Sequence, residues 1–200
     1  MPDLASRVMR LQAAAWAVRR ASPQPCALPF ALVLMTEEAR QPDLVSLVKR
    51  LPSAGTAPPV LIVFRHYGLP ADMRAVVMRG AREAALARGH LFSVAGDGRA
   101  ARPGDGAHNR RGGWPVSASV HSLGQARARR VQLRPDLGFV SPVFATASHP
   151  GAPSLGAVRA AGLAATTPYP CFALGGLDGA SAWRLVGSPF QGIAAVGAWS

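Results

Sequence analysis

The sequence predicts an α/β protein, a compact (β/α)8 TIM barrel, and three observations carry that expectation. Short, almost wholly apolar runs recur at residues 30–35, 60–64, 91–94, 116–120, 138–144, 171–174 and 192–196, with a shorter candidate at 105–108. Helical patterns lie between most of them, at 43–51, 71–88, 125–133, 155–163 and 180–186. Strands that are apolar on both faces belong to a parallel sheet covered on both sides. Eight such strands in one chain close into a barrel more readily than they spread into an open sheet.

The third observation concerns the two ends. The sequence stops at Ser200, directly after the eighth strand, so the eighth helix is expected to be missing. At the other end, Leu4, Val8, Leu11, Ala15 and Val18 recur at helical spacing, with Arg7, Arg10 and Arg19 off that stripe. This helix, over 4–20, is expected to fill the groove that the eighth helix would occupy. Pro23 and Pro25 end it, which divides the chain into an N-terminal helix and linker (1–25) and a single barrel domain (26–200). The clearest of the other helices, at 71–88, is expected to bury Met73, Val76, Val77, Ala81 and Ala84 on one face.

Composition narrows the class. Hydrophobic residues make up 49% and charged residues 16%, which supports one buried core and excludes a disordered chain. No apolar stretch is long enough for a membrane span, and the run at 13–18 is too short for a signal peptide. The expectation is a cytoplasmic protein with no membrane partner. Cys26 and Cys171 are too few for a disulfide scaffold and are read as reduced thiols.

The net charge of +12 comes from 21 arginines and one lysine, Lys49, against ten carboxylates. A strong positive field favours anionic partners. The basic residues are scattered, as in Arg79, Arg82 and Arg88 or Arg127, Arg129 and Arg130, and aromatic residues do not interleave with them. They fall mostly where helices should face solvent. That pattern argues against a nucleic-acid partner and for a phosphorylated small molecule.

Chemistry in such a barrel sits at the C-terminal ends of the strands. His66, His108, His121 and His149 each follow a predicted strand, and only His90 precedes one. Histidine is the natural acid/base group near neutral pH. A metal cluster is disfavoured, because few carboxylates fall beside these residues and no helical HxxxH spacing occurs. Glycines supply a phosphate signal: Gly175 and Gly176 end the seventh strand, and Gly192 and Gly197 bracket the eighth. Backbone N–H groups in the loops after strands seven and eight often hold phosphate, and glycine permits the close approach.

The segments Ser119-Val120-His121-Ser122, Gly138-Phe139-Val140-Ser141-Pro142-Val143-Phe144-Ala145-Thr146-Ala147-Ser148-His149-Pro150-Gly151 and Ala173-Leu174-Gly175-Gly176-Leu177 resemble the thiamine phosphate synthase/TenI family. Gly192-Ile193-Ala194-Ala195-Val196 is similar to that family's last strand. The resemblance runs from about Phe30 to the C-terminus, specific in its second half and loose in its first. It implies a (β/α)8 barrel in thiamine biosynthesis. A synthase of this family joins a pyrimidine pyrophosphate to a thiazole phosphate and releases pyrophosphate, with Mg²⁺ and several cations carrying the charge.

Only part of that equipment is kept. In the family's QxRxK after strand two, Val63 replaces the glutamine, Arg65 is kept and Tyr67 replaces the lysine. Ser93 and Val94 stand at the Asn-Asp pair after strand three, with Asp97 as a nearby carboxylate. The HLGQxD segment becomes His108-Asn109-Arg110-Arg111. Thr146 is kept and Ser148 is equivalent, but His149 replaces the second lysine.

The resemblance therefore implies a TenI-type thiazole tautomerase or binding protein, which moves a ring proton and needs a phosphate grip but no metal. Its catalytic candidates are His121, Arg65 and His149. Its substrate-binding candidates are Ser119, Thr146, Ser148, Gly175, Gly176 and Gly197, and no residue is assigned to a metal. A divergent synthase using Arg65, His149, Asp97 and Mg²⁺ stays open as an alternative, as does a non-catalytic precursor-binding barrel. No cofactor is expected otherwise, the ligand is a phosphorylated thiazole, and a homodimer is left open.

Overall fold

The computed structural model describes residues 3–99, 101–146, 151 and 153–199. Eight parallel strands close into a barrel: β1 (Leu32–Met35), β2 (Val60–Phe64), β3 (Leu91–Ala95), β4 (Gly106–His108), β5 (Gly113–Val120), β6 (Leu137–Val140), β7 (Cys171–Leu174) and β8 (Ile193–Ala195). The seam is closed by Leu32 beside Ile193 and Leu34 beside Ala195. The predicted (β/α)8 class is correct.

Alternation along the strands sorts the apolar residues into two layers. Val33, Met35, Leu61, Val63, Phe139, Phe172 and Ala194 point inward and fill the barrel, with Phe30 and Leu137 beneath them. Leu34, Ile62, Phe64, Val94, Val140 and Ala173 point outward and pack under the helices. The interior is thus a plugged core, and space for a ligand remains only at its open end.

The helices are α1 (Leu4–Ala21), α2 (Leu44–Lys49), α3 (Ala71–Ala87), α4 (Leu123–Leu133) and α5 (Gly156–Thr166). Asp3, Asp43 and Ser122 cap α1, α2 and α4, each side-chain oxygen accepting from the backbone N–H three residues on. The stripe expected on α1 is the buried one: Leu4, Val8, Leu11, Ala15 and Val18 are all buried. This helix packs on β1 and on the 3-10 helices Ser181–Leu185 and Gly197–Trp199. It therefore lies over the β8–β1 seam, where the N-terminal helix was expected.

Several expectations need correction. Arg19 does not turn to solvent. It reaches under the barrel and donates to the carbonyls of Leu28, Phe30 and Gln191, tying α1 to the chain entering β1 and β8. Arg82 is buried as well, because Asp105 accepts from its Nε at 2.8 Å and its Nη2 at 2.5 Å. Its guanidinium also lies 5.6 Å from the centre of the Phe92 ring. The pairing rotates the buried face of α3 to Met78, Ala81, Arg82, Ala84 and Ala85, leaving Met73 and Val76 exposed in the first turns.

The sixth strand ends at Val140 rather than at residue 144, since Pro142 has no N–H to continue the ladder. The segment 180–186 forms the 3-10 helix Ser181–Leu185 instead of an α-helix. Both cysteines are free, as expected. Among the described residues no helix is long and apolar enough to cross a membrane.

Candidate active site

A cavity of about 550 Å³ opens at the C-terminal ends of the strands. Residues at or just after the ends of β1, β2, β4, β5, β6, β7 and β8 line it, among them Thr36 to Glu38, Arg65 to Tyr67, His108, Ser119, His121, Ser141, Pro142, Thr146, Gly175 and Val196. Three of the predicted histidines therefore converge. His90 lies at the opposite end, where its Nδ1 accepts from Val60 N at 3.4 Å. Ser148 and His149 lie outside the described residues.

His121 precedes the cap of α4 and is held from two sides. Its backbone N–H donates to Gln125 Oε1 at 2.8 Å, and its Nδ1 lies 2.9 Å from the Ser141 carbonyl. A carbonyl only accepts, so Nδ1 carries the hydrogen. The neutral ring then keeps its lone pair on Nε2, the nitrogen available as a base.

His108 is buried, and a chain of polar contacts fixes it. Asn109 Nδ2 donates to His108 Nε2 at 3.0 Å and to Ser119 Oγ at 3.0 Å, while Asn109 Oδ1 accepts from Ser119 N at 2.7 Å. With Nε2 accepting, Nδ1 donates to Ser117 Oγ at 3.0 Å. Burial, with Arg65 and Arg129 adding in the same direction, holds the His108 imidazole down at about 4. It is a neutral brace for Ser119, not a titrating acid.

His66 plays a similar part under β1. Thr36 Oγ1 accepts from Arg65 N at 2.9 Å and contacts His66 Nδ1 at 2.9 Å. Burial pushes the His66 imidazole below its ordinary range. Arg65 is seated by the same turn, its Nε donating to Thr36 O at 3.0 Å, and it remains on the cavity wall.

The glycine signal resolves into two kinds. Gly175 (φ 100°) and Gly176 (φ 64°) occupy left-handed conformations at the exit of β7. A Cβ on Gly175 would meet Pro142 Cα at 2.9 Å, and one on Gly176 would collide with the Ala145 carbonyl. With Thr146 and Gly197 they line a second cavity of about 320 Å³, which shares Thr146, Leu174, Gly175 and Val196 with the first. Gly192 is different. It lies at the entrance of β8, where a Cβ would strike the Ala31 carbonyl, so it serves barrel closure and not ligand binding.

The donor set of the described residues does not fit Mg²⁺. The cavity's carboxylates are Glu37 and Glu38; Glu37 Oε2 accepts from Arg40 Nε at 3.1 Å and Glu38 Oε1 from Gly68 N at 2.8 Å. Asp97 pairs with Arg99 at 3.3 Å in the exposed loop after β3, away from the cavity lining. Ser93 is buried and points inward below the cavity, whereas Val94 packs in the outer layer. Among the described residues no three His, Cys, Asp or Glu side chains gather to hold a metal.

Thr36, Glu37, Glu38 and Asn109 join the cavity and its bracing without having been singled out in the sequence. The first three directly follow β1, so the rule that strand ends carry chemistry was sufficient to find them. Asn109 adopts φ 57°, and nothing in the sequence announces its bonds to His108 and Ser119.

The burial of His108 and His90 has a consequence for stability. Burial, reinforced by Arg65 and Arg129 at His108 and by Arg88 at His90, depresses both to about 4 from 6.5. Between those values the unfolded chain binds protons that the native chain does not, so stability is full above pH 6.5 and falls as the pH drops toward 4. Urea midpoints at pH 7 and pH 4.5 should show this fall, and His108→Asn should flatten it. A midpoint that holds steady or rises on acidification contradicts the burial of these rings.

A closed parallel barrel, with a histidine-lined and a glycine-lined cavity at the C-terminal ends of its strands, belongs to the (β/α)8 class. The profile of the thiamine monophosphate synthase family matches residues 98–199. The chain belongs to that family. Thiamine phosphate pyrophosphorylase from Pyrococcus furiosus shares the fold, with a TM-score of 0.61 and 20% identity over 82% of this chain and 84% of that one. No curated protein matches the sequence significantly.

Proposed function

We propose that this family member acts on a phosphorylated thiazole as a TenI-type tautomerase. The observation that carries the reading is His121, whose ring lines the cavity with Nδ1 committed to the Ser141 carbonyl and Nε2 left as the base. In the proposed reaction Nε2 withdraws a ring C–H proton. The imidazolium then returns it at the far end of the conjugated system, so no proton is gained or lost overall. In this reading Ser119, braced by Asn109, and Arg65 orient the ring and its substituents; both line the cavity.

The phosphate is assigned to the adjoining cavity, lined by Gly175, Gly176 and Gly197 with Thr146. None of these steps needs a metal. Arg65, kept on the cavity wall, favours a second reading as a divergent synthase, but pyrophosphate departure needs charge stabilisation that the described carboxylates are not placed to support through Mg²⁺.

Mixing the protein with aromatic thiazole phosphate, pyrimidine pyrophosphate and Mg²⁺ separates the two readings. We expect no thiamine phosphate at multiple turnovers, together with thiazole phosphate binding that EDTA leaves unchanged. Sustained product formation would establish the synthase instead.

A further inference from the structure

Arg40 is a cation to which no motif points. It lies in the turn between β1 and α2, and its guanidinium rests against Gly197, where an added Cβ would meet Nη1 at 2.9 Å. It thereby forms part of the wall of the second cavity, together with Gly175, Gly176 and Thr146.

Two neighbours hold it there. Glu37 accepts from its Nε, which leaves the Nη edge uncommitted to that pair. Buried Gln41 then pins the whole turn to the exit of β8: its Oε1 accepts from Glu37 N at 2.7 Å, and its Nε2 donates to Val196 O at 2.8 Å. Val196 directly precedes Gly197. The turn after β1 and the loop after β8 are therefore tied together by half-buried hydrogen bonds, which hold Arg40 beside the glycines.

We infer that Arg40 is the charged partner of the substrate's phosphate, completing from the β1 side the cradle that the glycines form from the β7 and β8 sides. The inference rests on the phosphate-cradle reading proposed above. A guanidinium suits this task because its planar N–H fork matches phosphate oxygens, whereas glycine backbone alone supplies no full charge. Asp178 also borders this cavity, but its Oδ1 accepts from Ala180 N and Ser181 N in its own turn.

Calorimetric affinities for the aromatic thiazole phosphate and for its unphosphorylated alcohol test the assignment on the full chain. The wild type should prefer the phosphate ester. Arg40→Ala should weaken ester binding at least tenfold and alcohol binding less than twofold, and Arg40→Lys should recover part of the loss. The alcohol affinity doubles as the check that the variants are folded. An Arg40→Ala loss that is absent, or equal for both ligands, overturns the role of Arg40 while leaving the cradle standing. A wild type with no preference for the ester defeats the cradle itself.

Discussion

His121→Ala is expected to slow thiazole tautomerisation by roughly 10²–10⁴-fold, the usual contribution of one positioned acid/base group. Affinity for the thiazole phosphate should change little. The reasoning is geometric: the Ser141 carbonyl fixes which nitrogen bears the hydrogen, and Gln125 holds the backbone at the start of α4. Removing the ring takes away the proton carrier and leaves the glycine cradle untouched, since that is built from β7 and β8. Steady-state rates and equilibrium binding, measured on the same preparation, check both halves. Loss of binding with unchanged turnover would place His121 in ligand recognition instead, and unchanged values of both would remove it from the site.

Asp105→Ala should destabilise the fold by about 3–5 kcal/mol, the range for stranding one member of a buried ion pair. Arg82 and Asp105 are each about 4% exposed along their side chains, so water cannot take over the lost partner. Asp105 also accepts from Arg102 N at 2.7 Å, which anchors the loop leading into β4. No helix covers β4 on its way to β5, and this pair links α3 to that stretch. The double variant Arg82→Met with Asp105→Leu should recover much of the loss, because apolar side chains of similar volume need no counter-charge. Urea unfolding of the three proteins is the measurement. A single variant within about 1 kcal/mol of the wild type, on the scale of an exposed pair, would refute the account of this pair.

These two residues show which features the sequence made legible. The barrel was readable because each strand is apolar on both faces and so stands out from the helices around it. The position of His121 on the cavity wall was readable because the residue directly follows a strand. Arg82 and Asp105 were not, since each looks like an ordinary solvated charge until the fold brings together positions 23 apart in the sequence. Arg19 misled for a related reason: Leu28 and Phe30 come from the nearby chain entering β1, but its third carbonyl partner, Gln191, is 172 residues away.

The site divides along the same line. Gly175 and Gly176 could be found from a local turn, whereas Gly192 resembled them in sequence and proved to occupy the opposite end of β8. Asn109 and Gln41 each combine a local contact with one across the barrel mouth. Such contacts depend on which strand ends become neighbours after closure, and that information is not present in local spacing.

Proton NMR of a non-aromatic carboxythiazole phosphate incubated with the protein in excess EDTA tests the central claim most directly. Conversion to the aromatic isomer at a rate proportional to protein, and abolished in His121→Ala, is the predicted result. A ligand that binds but isomerises no faster than in buffer would contradict the catalytic reading and leave a barrel that holds its precursor without transforming it.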